Sequence, residues 1–250
     1  MKSTERFTTR VENYVRYRPS YPDAVLSLLQ RECGLGEGSV VADVGSGTGI
    51  STQFLLRSGA TVLGIEPNAE MRAAAEDILR DEPRFRSVDA MAEATSLADA
   101  SVDLIVAGQS FHWFDQDKAR TEFRRILRPG RWVVLMWNER LTSGTAFLKG
   151  YEEILHAYSP DYQEVQHRYP EHSPISNFFE GEMRQSTFEN KQVLDFESLK
   201  GRVLSSSYAP ELGQVGHDEM ITALAQLFEE TAENGTVDFL YETQVYFGHL

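Results

Sequence analysis

The run Val40-Val41-Ala42-Asp43-Val44-Gly45-Ser46-Gly47-Thr48-Gly49 constrains the fold of this chain more than any other segment. An apolar, β-branched stretch meets an acid, glycines follow at alternate positions, and helix-compatible residues continue from Ser51 to Arg57. Strand, tight turn and helix start, in that order, make the place where a parallel α/β sheet holds a nucleotide-like ligand. The phase of the glycines narrows the ligand. A dinucleotide turn, G-x-G-x-x-G, needs glycine at 50, where this chain has Ile50. Glycine at 45, 47 and 49 instead lets the backbone take positive φ and approach a ligand closely.

The segments that follow predict a βαβ succession and hence an α/β class. Strands are expected at Val40–Val44, Thr61–Ile65, Phe85–Val88, Val102–Ala107 and Trp132–Trp137, and helices at Ser51–Arg57, Ala69–Arg80 and Lys118–Leu127. The last helix meets Arg128-Pro129-Gly130, a stop signal. A further helix is expected at Asp23–Glu32, before a joint marked by Gly34, Gly36 and Gly38. Residues 139–180 are aromatic, polar and punctuated by Pro160, Pro170 and Pro174, which predicts helix and loop without strands. Two late strands (Met183–Val193 and Val237–Phe247) are expected around helices Glu197–Ser206 and Glu219–Glu233.

With its acid placed before the turn, the D-x-G-x-G-x-G spacing resembles the first motif of the class I S-adenosylmethionine (SAM) methyltransferases. The stretch Asp89-Ala90-Met91-Ala92-Glu93-Ala94, continued by Asp99-Ala100-Ser101-Val102-Asp103, is similar to a later motif of that family. Phe111-His112-Trp113-Phe114, Tyr17-Arg18-Pro19-Ser20-Tyr21-Pro22 and Trp137-Asn138 resemble a small-molecule subgroup related to the ubiquinone-biosynthesis type. The resemblance implies a seven-stranded, mostly parallel Rossmann-like sheet with helices on both faces and a C-terminal antiparallel strand pair. It implies one domain: an N-terminal lid and helix (1–38), a SAM-binding core (39–138), an inserted substrate cap (139–182) and a closing segment (183–250).

The chemistry expected of individual residues follows from what SAM carries: an ammonium, a carboxylate and a sulfonium, but no phosphate. Asp43, Gly45, Ser46, Gly47 and Gly49 are expected around its amino-acid end. Glu66, at the end of the second strand and about 20 residues beyond the first glycine, is placed to accept hydrogen bonds from both ribose hydroxyls. Pro67 and Met71 are candidate walls for adenine, and Met91 with Ala92 stands where the family binds it. Met91 offers no polar side chain there, so the backbone of Met91 and Ala92 or the carboxylate of Asp89 are alternatives. Gln109 lies at the carboxyl end of the fourth strand, near the methionine portion. His112 is the candidate general base, because its ordinary pKa lies near neutrality; a role in fixing its loop is the alternative. Tyr14, Arg18 and Tyr21, with Trp113, are lid or substrate candidates, and Arg16 shares their segment. Tyr151, Tyr158, Tyr162, His167 and Tyr169 either line an acceptor pocket or pack as helix faces.

Charge and composition exclude other classes. Net charge is −14, a field that repels phosphate backbones and disfavours nucleic acid as substrate. The Asp/Asn-Pro-Pro-Tyr/Phe segment of base-directed methyltransferases has no counterpart at Gln109–His112. Cys33 is the only cysteine, so no intrachain disulfide forms and a cysteine metal cluster is ruled out; no metal site is expected. Met1–Arg10 lacks an apolar secretory core, and no stretch reaches the ~18 apolar residues of a membrane span. The expectation is a cytoplasmic monomer or homodimer, binding neither nucleic acid nor membrane. It would methylate a small molecule, at a carboxylate or hydroxyl oxygen. A non-catalytic SAM-binding regulator and an NAD-dependent oxidoreductase are the alternatives.

Overall fold

In the computed structural model, residues 11–159, 162, 173–179 and 181–250 are described. β1 (Val40–Val44) is covered on both sides of its pleat and sits mid-sheet, flanked by β2 (Thr61–Ile65) and β4 (Val102–Gly108), both parallel to it. β3 (Phe85–Val88) continues the sheet beyond β2, and β5 (Leu127–Arg140) continues it beyond β4. β7 (Val237–Gly248) adds antiparallel to β5, and β6 (Arg184–Leu194) adds antiparallel to β7. The order is β3-β2-β1-β4-β5-β7-β6. It reverses at β1 and β4, and a crevice opens there at the carboxyl ends of the strands.

Parallel strands must be covered on both faces, and the alternation of side chains shows how. Val41, Leu104, Val106, Val134 and Met136 point to one face, against α2 (Asp23–Cys33) and α3 (Ile50–Leu56). Ala42, Ile105, Ala107, Val133 and Leu135 point to the other, against α5 (Gln116–Ile126) and α7 (Ser173–Phe178). A third apolar cluster joins α6 (Ala146–Tyr158), α8 (Phe196–Leu204) and α9 (His217–Thr231) to the first half of β7. The remaining helices are α1 (Val11–Tyr17), packed on α8, and α4 (Ala69–Ile78). Asn68 caps α4, its side chain accepting from the backbone of Glu70 and Met71. Among the described residues no helix is long and apolar enough to cross a membrane.

Two expectations are corrected. The stop at Arg128-Pro129-Gly130 holds, since α5 ends at Ile126, but the strand expected to start at Trp132 starts at Leu127: Leu127 pairs with Val102, and a register shift before Leu104↔Trp132 absorbs three extra residues. The region after 138 was expected to lack strands, yet Glu139 and Arg140 extend β5 by pairing with Glu242 and Tyr241 of β7. Pro160, Pro170, His167, Tyr169 and the Met1–Arg10 segment lie outside the described residues.

Candidate active site

The glycine turn is locked by three hydrogen bonds. The backbone N–H groups of Gly45 and Ser46 both donate to Ile65 O, at 2.8 and 3.1 Å, and Ser110 Oγ donates to Val44 O at 2.7 Å. Gly45 has φ of +69°, and a Cβ there would stand 2.5 Å from Ser110 Cβ, so neither the conformation nor the space admits a side chain. Beside this turn lies a cavity of about 490 Å³ that runs across the carboxyl ends of the strands.

At one end of it Glu66 is 8% exposed. Its Oε2 accepts from Gly47 N at 3.0 Å and its Oε1 from Asn68 N at 2.8 Å. Each carboxylate oxygen retains a lone pair at the cavity wall, where a vicinal diol can donate. Burial raises the pKa of Glu66, opposed by these two backbone hydrogen bonds. Pro67, Met71, Met91 and Ala92 line the same end, with Met91 57% exposed. Asp89, the alternative polar partner for adenine, instead pairs with Arg72 at 2.9 Å and is not on the cavity wall.

Ser46, Gly47 and Thr48 line the middle of the cavity, opposite Gln109 and Ser110. Gln109 is a non-glycine residue at φ of +59°. Its strained backbone is held by its own N–H to Met136 O at 2.9 Å and its side chain to Asn138 O at 3.1 Å. His112 sits on the short 3₁₀ turn Phe111–Trp113 and faces the cavity together with Trp113. Burial lowers its pKa to about 4, so the ring is neutral at pH 7.

Two expected ligands stand behind the turn. Asp43 is fully buried and absent from the cavity wall: its Oδ2 accepts from Ser51 Oγ at 2.8 Å and Thr52 Oγ1 at 2.6 Å, tying the strand end to α3. The reason is the pleat. Ala42 and Val44 face α5, so Asp43 between them faces α3. Its Oδ1 is buried and has no hydrogen-bond partner among the described residues, and burial raises the pKa to about 6. Gly49, at φ of +90°, caps α3 and likewise lies off the wall. Both support the turn that lines the cavity.

The N-terminal strap covers the cavity from above. Arg18 and Tyr21 line it, and a Cβ on Gly108 would stand 2.5 Å from the Tyr21 hydroxyl. The strap is tied down by Asn138 Nδ2 and Asn190 Nδ2 donating to Ser20 O, and by Gln192 Nε2 donating to Tyr17 O at 3.0 Å. Tyr14 lies in α1, and its side chain is outside the described residues. Arg16 stacks on Tyr17.

The far end of the cavity holds groups that sequence reasoning did not single out: Arg140, Arg202, Tyr208 and Tyr241. Of the aromatic residues in the cap, Tyr162 lines the cavity and hydrogen-bonds Glu152, while Tyr151 is fully buried beneath Arg140 and Tyr158 packs on the third cluster. One signal was available for Arg202. In the helix Glu197–Ser206 it falls three residues after Leu199, on the apolar face, where a cation has no ordinary reason to be.

Comparison with known proteins agrees with this geometry. Residues 42–135 match a family model described as a methyltransferase domain. A methyltransferase-like protein of Schizosaccharomyces pombe is 27% identical over 248 residues, covering 96% of this chain and 93% of that one. A Mycobacterium bovis methyltransferase is 36% identical over 135 residues, about half of either chain (54% and 52%). Among solved structures, a protein provisionally named a type II methyltransferase from Anaeromyxobacter dehalogenans superposes with a TM-score of 0.65 at 21% identity, over 93% of this chain and 98% of that one. Residues 42–135 thus form a methyltransferase domain, and the strand order, the turn and these relatives support a class I SAM-dependent methyltransferase.

Proposed function

We propose that this enzyme transfers the methyl group of SAM to an oxygen of a small-molecule acceptor, a carboxylate or a hydroxyl. The observation that carries the reading is a single continuous cavity, from Glu66 at one end to Tyr241 at the other. Its volume of about 490 Å³ is in the range of sites that enclose small molecules, and a polymer would need an open groove instead. The net charge of −14 agrees with an acceptor other than nucleic acid.

The residues present fit the cofactor. Glu66 offers carboxylate lone pairs to a diol, Gly45 and Gly47 let the ligand approach a backbone that carries no side chain there, and Pro67 and Met71 offer apolar walls. SAM, when bound, supplies a methyl group activated by its sulfonium. The chain's contribution is alignment and exclusion of water, which account for much of the acceleration of such a displacement. Tyr21 and Arg18 close the cavity over the turn, and Gln109 holds the end of β4 in place. His112 is neutral and weakly basic at pH 7, suited to orienting an acceptor oxygen through a hydrogen bond. A carboxylate acceptor arrives ionised and needs no base.

Incubation with methyl-tritiated SAM and a small-metabolite extract tests the proposal. Label in a small product, released by alkali for an ester or stable as an ether, is expected. Label found only in protein, nucleic acid or amines overturns it.

A further inference from the structure

Arg202 is a buried guanidinium that pairs with no carboxylate among the described residues. It is 4% exposed, yet it stands on the cavity wall. Its Nε donates to Tyr241 Oη at 3.0 Å and its Nη1 to Ser206 Oγ at 3.2 Å. The guanidinium lies 5.3 Å from the centre of the Phe239 ring and 5.9 Å from that of Tyr241. These contacts fix its plane and use two of its five N–H donors. Its Nη2 has no protein partner among the described residues and is not sealed in the interior, so it opens on the cavity.

The neighbouring charges do not answer it. Arg140 is held by Glu152; Glu139 also lines the cavity, but on β5 it is paired with Glu242, on the face of Tyr246 and not of Tyr241, and it is not among the groups acting on Arg202. The groups that face Arg202 are the phenols of Tyr241, Tyr151 and Tyr208. Burying a cation without a counter-ion is costly, and a fully structural role would be served as well by an apolar side chain. Resting on the methyltransferase reading, we propose that this end of the cavity is an anion subsite in which Arg202 binds a carboxylate of the acceptor, making a small carboxylic acid the substrate class.

Its place in the sheet separates the subsite from the cofactor. Tyr241 belongs to β7, three strands from β1 in the order β1-β4-β5-β7, or about 14 Å at the usual strand spacing. A carboxylate clamped by a guanidinium is a poor nucleophile, so the anchored group recognises the acceptor and a second oxygen of the same molecule meets the donor.

The test uses the whole protein saturated with S-adenosylhomocysteine, with acetate, succinate, citrate and benzoate and their methyl esters as probes, followed by thermal shift and calorimetry. At least one acid is expected to bind wild type about tenfold or more tighter than its ester, a comparison that needs no variant. Arg202→Gln is expected to weaken that acid about tenfold or more, and Arg202→Lys less, with S-adenosylhomocysteine affinity within about twofold of wild type. The proposal is overturned if no acid binds at ~10 mM, if esters bind equally, or if Arg202→Gln leaves the acid's affinity unchanged. A large loss of S-adenosylhomocysteine affinity in the variant would give Arg202 to the cofactor and equally overturn it. Failure of wild type to bind S-adenosylhomocysteine at all counts instead against the methyltransferase reading.

Discussion

The backbone N–H of Gly47 donates to Glu66 Oε2 at 3.0 Å, so the glycine turn and the end of β2 are one unit. The acid proposed to meet the ribose diol also sets the position of the Gly47 peptide group on the cavity wall. Asn68 N, bonded to the other oxygen, brings the N-terminus of α4 into the same unit.

Replacing Glu66 removes the brace and, on the proposed reading, a ligand contact with it. Glu66→Ala should weaken S-adenosylhomocysteine binding by about 1–3 kcal/mol, the usual cost of losing hydrogen bonds to a charged group. Glu66→Gln keeps one oxygen acceptor and should fall between the two. Calorimetric titration checks this, and an unchanged dissociation constant in Glu66→Ala would remove the residue from the site.

Gly45 and Gly130 have nearly the same backbone, φ of +69° and +71°, but different surroundings. A Cβ on Gly130 meets nothing within 4 Å, whereas on Gly45 it stands 2.5 Å from Ser110 Cβ. Gly130→Ala should cost about 1 kcal/mol, the strain of the left-handed region alone. Gly45→Ala adds a backbone-locked clash and should cost about 3 kcal/mol or more. Urea unfolding of the two variants side by side separates strain from clash, and equal losses would mean that the turn yields freely.

The legibility of the sequence differed by element. β1 and β2 end where apolar periodicity and turn residues place them, because a buried parallel strand tolerates little else. β5 did not, since the pairing of Leu127 with Val102 is a long-range fact that Pro129 and Gly130 locally contradict. Glu66 could be placed beside the turn because one βαβ step fixes the spacing. Asp43 could be recognised as important but not assigned a direction without the pleat of its strand against α3. Arg202 is the clearest omission: it lies more than 150 residues from the turn in sequence and is brought to the cavity by packing of α8 on β7.

Asp43 makes stability depend on pH in the less common direction. Burial raises its pKa from 3.8 to about 6, so the folded chain binds this proton more tightly than the unfolded chain does. Stability contributed at this site is therefore highest below pH 4 and is lost as the pH rises towards 6, by about 3 kcal/mol in all. Asp43→Asn cannot titrate. Its stability relative to wild type should improve by about 2–3 kcal/mol between pH 4 and pH 7 in urea unfolding. Parallel curves for the two proteins would show that the carboxyl group does not carry the shifted proton.

His112 offers a sharper distinction, between a base and an orienting group. Its burial lowers the pKa to about 4, and the unfolded value is near 6.5. In the folded protein, titration of its ring protons followed by NMR should show a midpoint near pH 4 and no change around pH 6.5. If the ring only orients the acceptor, kcat with a carboxylic acid should be flat from about pH 5.5 to 8, because the imidazole stays neutral and the acceptor stays ionised. His112→Gln, which retains a hydrogen-bonding group, should then keep most of kcat and raise KM. A bell-shaped profile with an acid limb near pH 6.5, lost in His112→Gln together with at least about a hundredfold of kcat, would make His112 the general base instead.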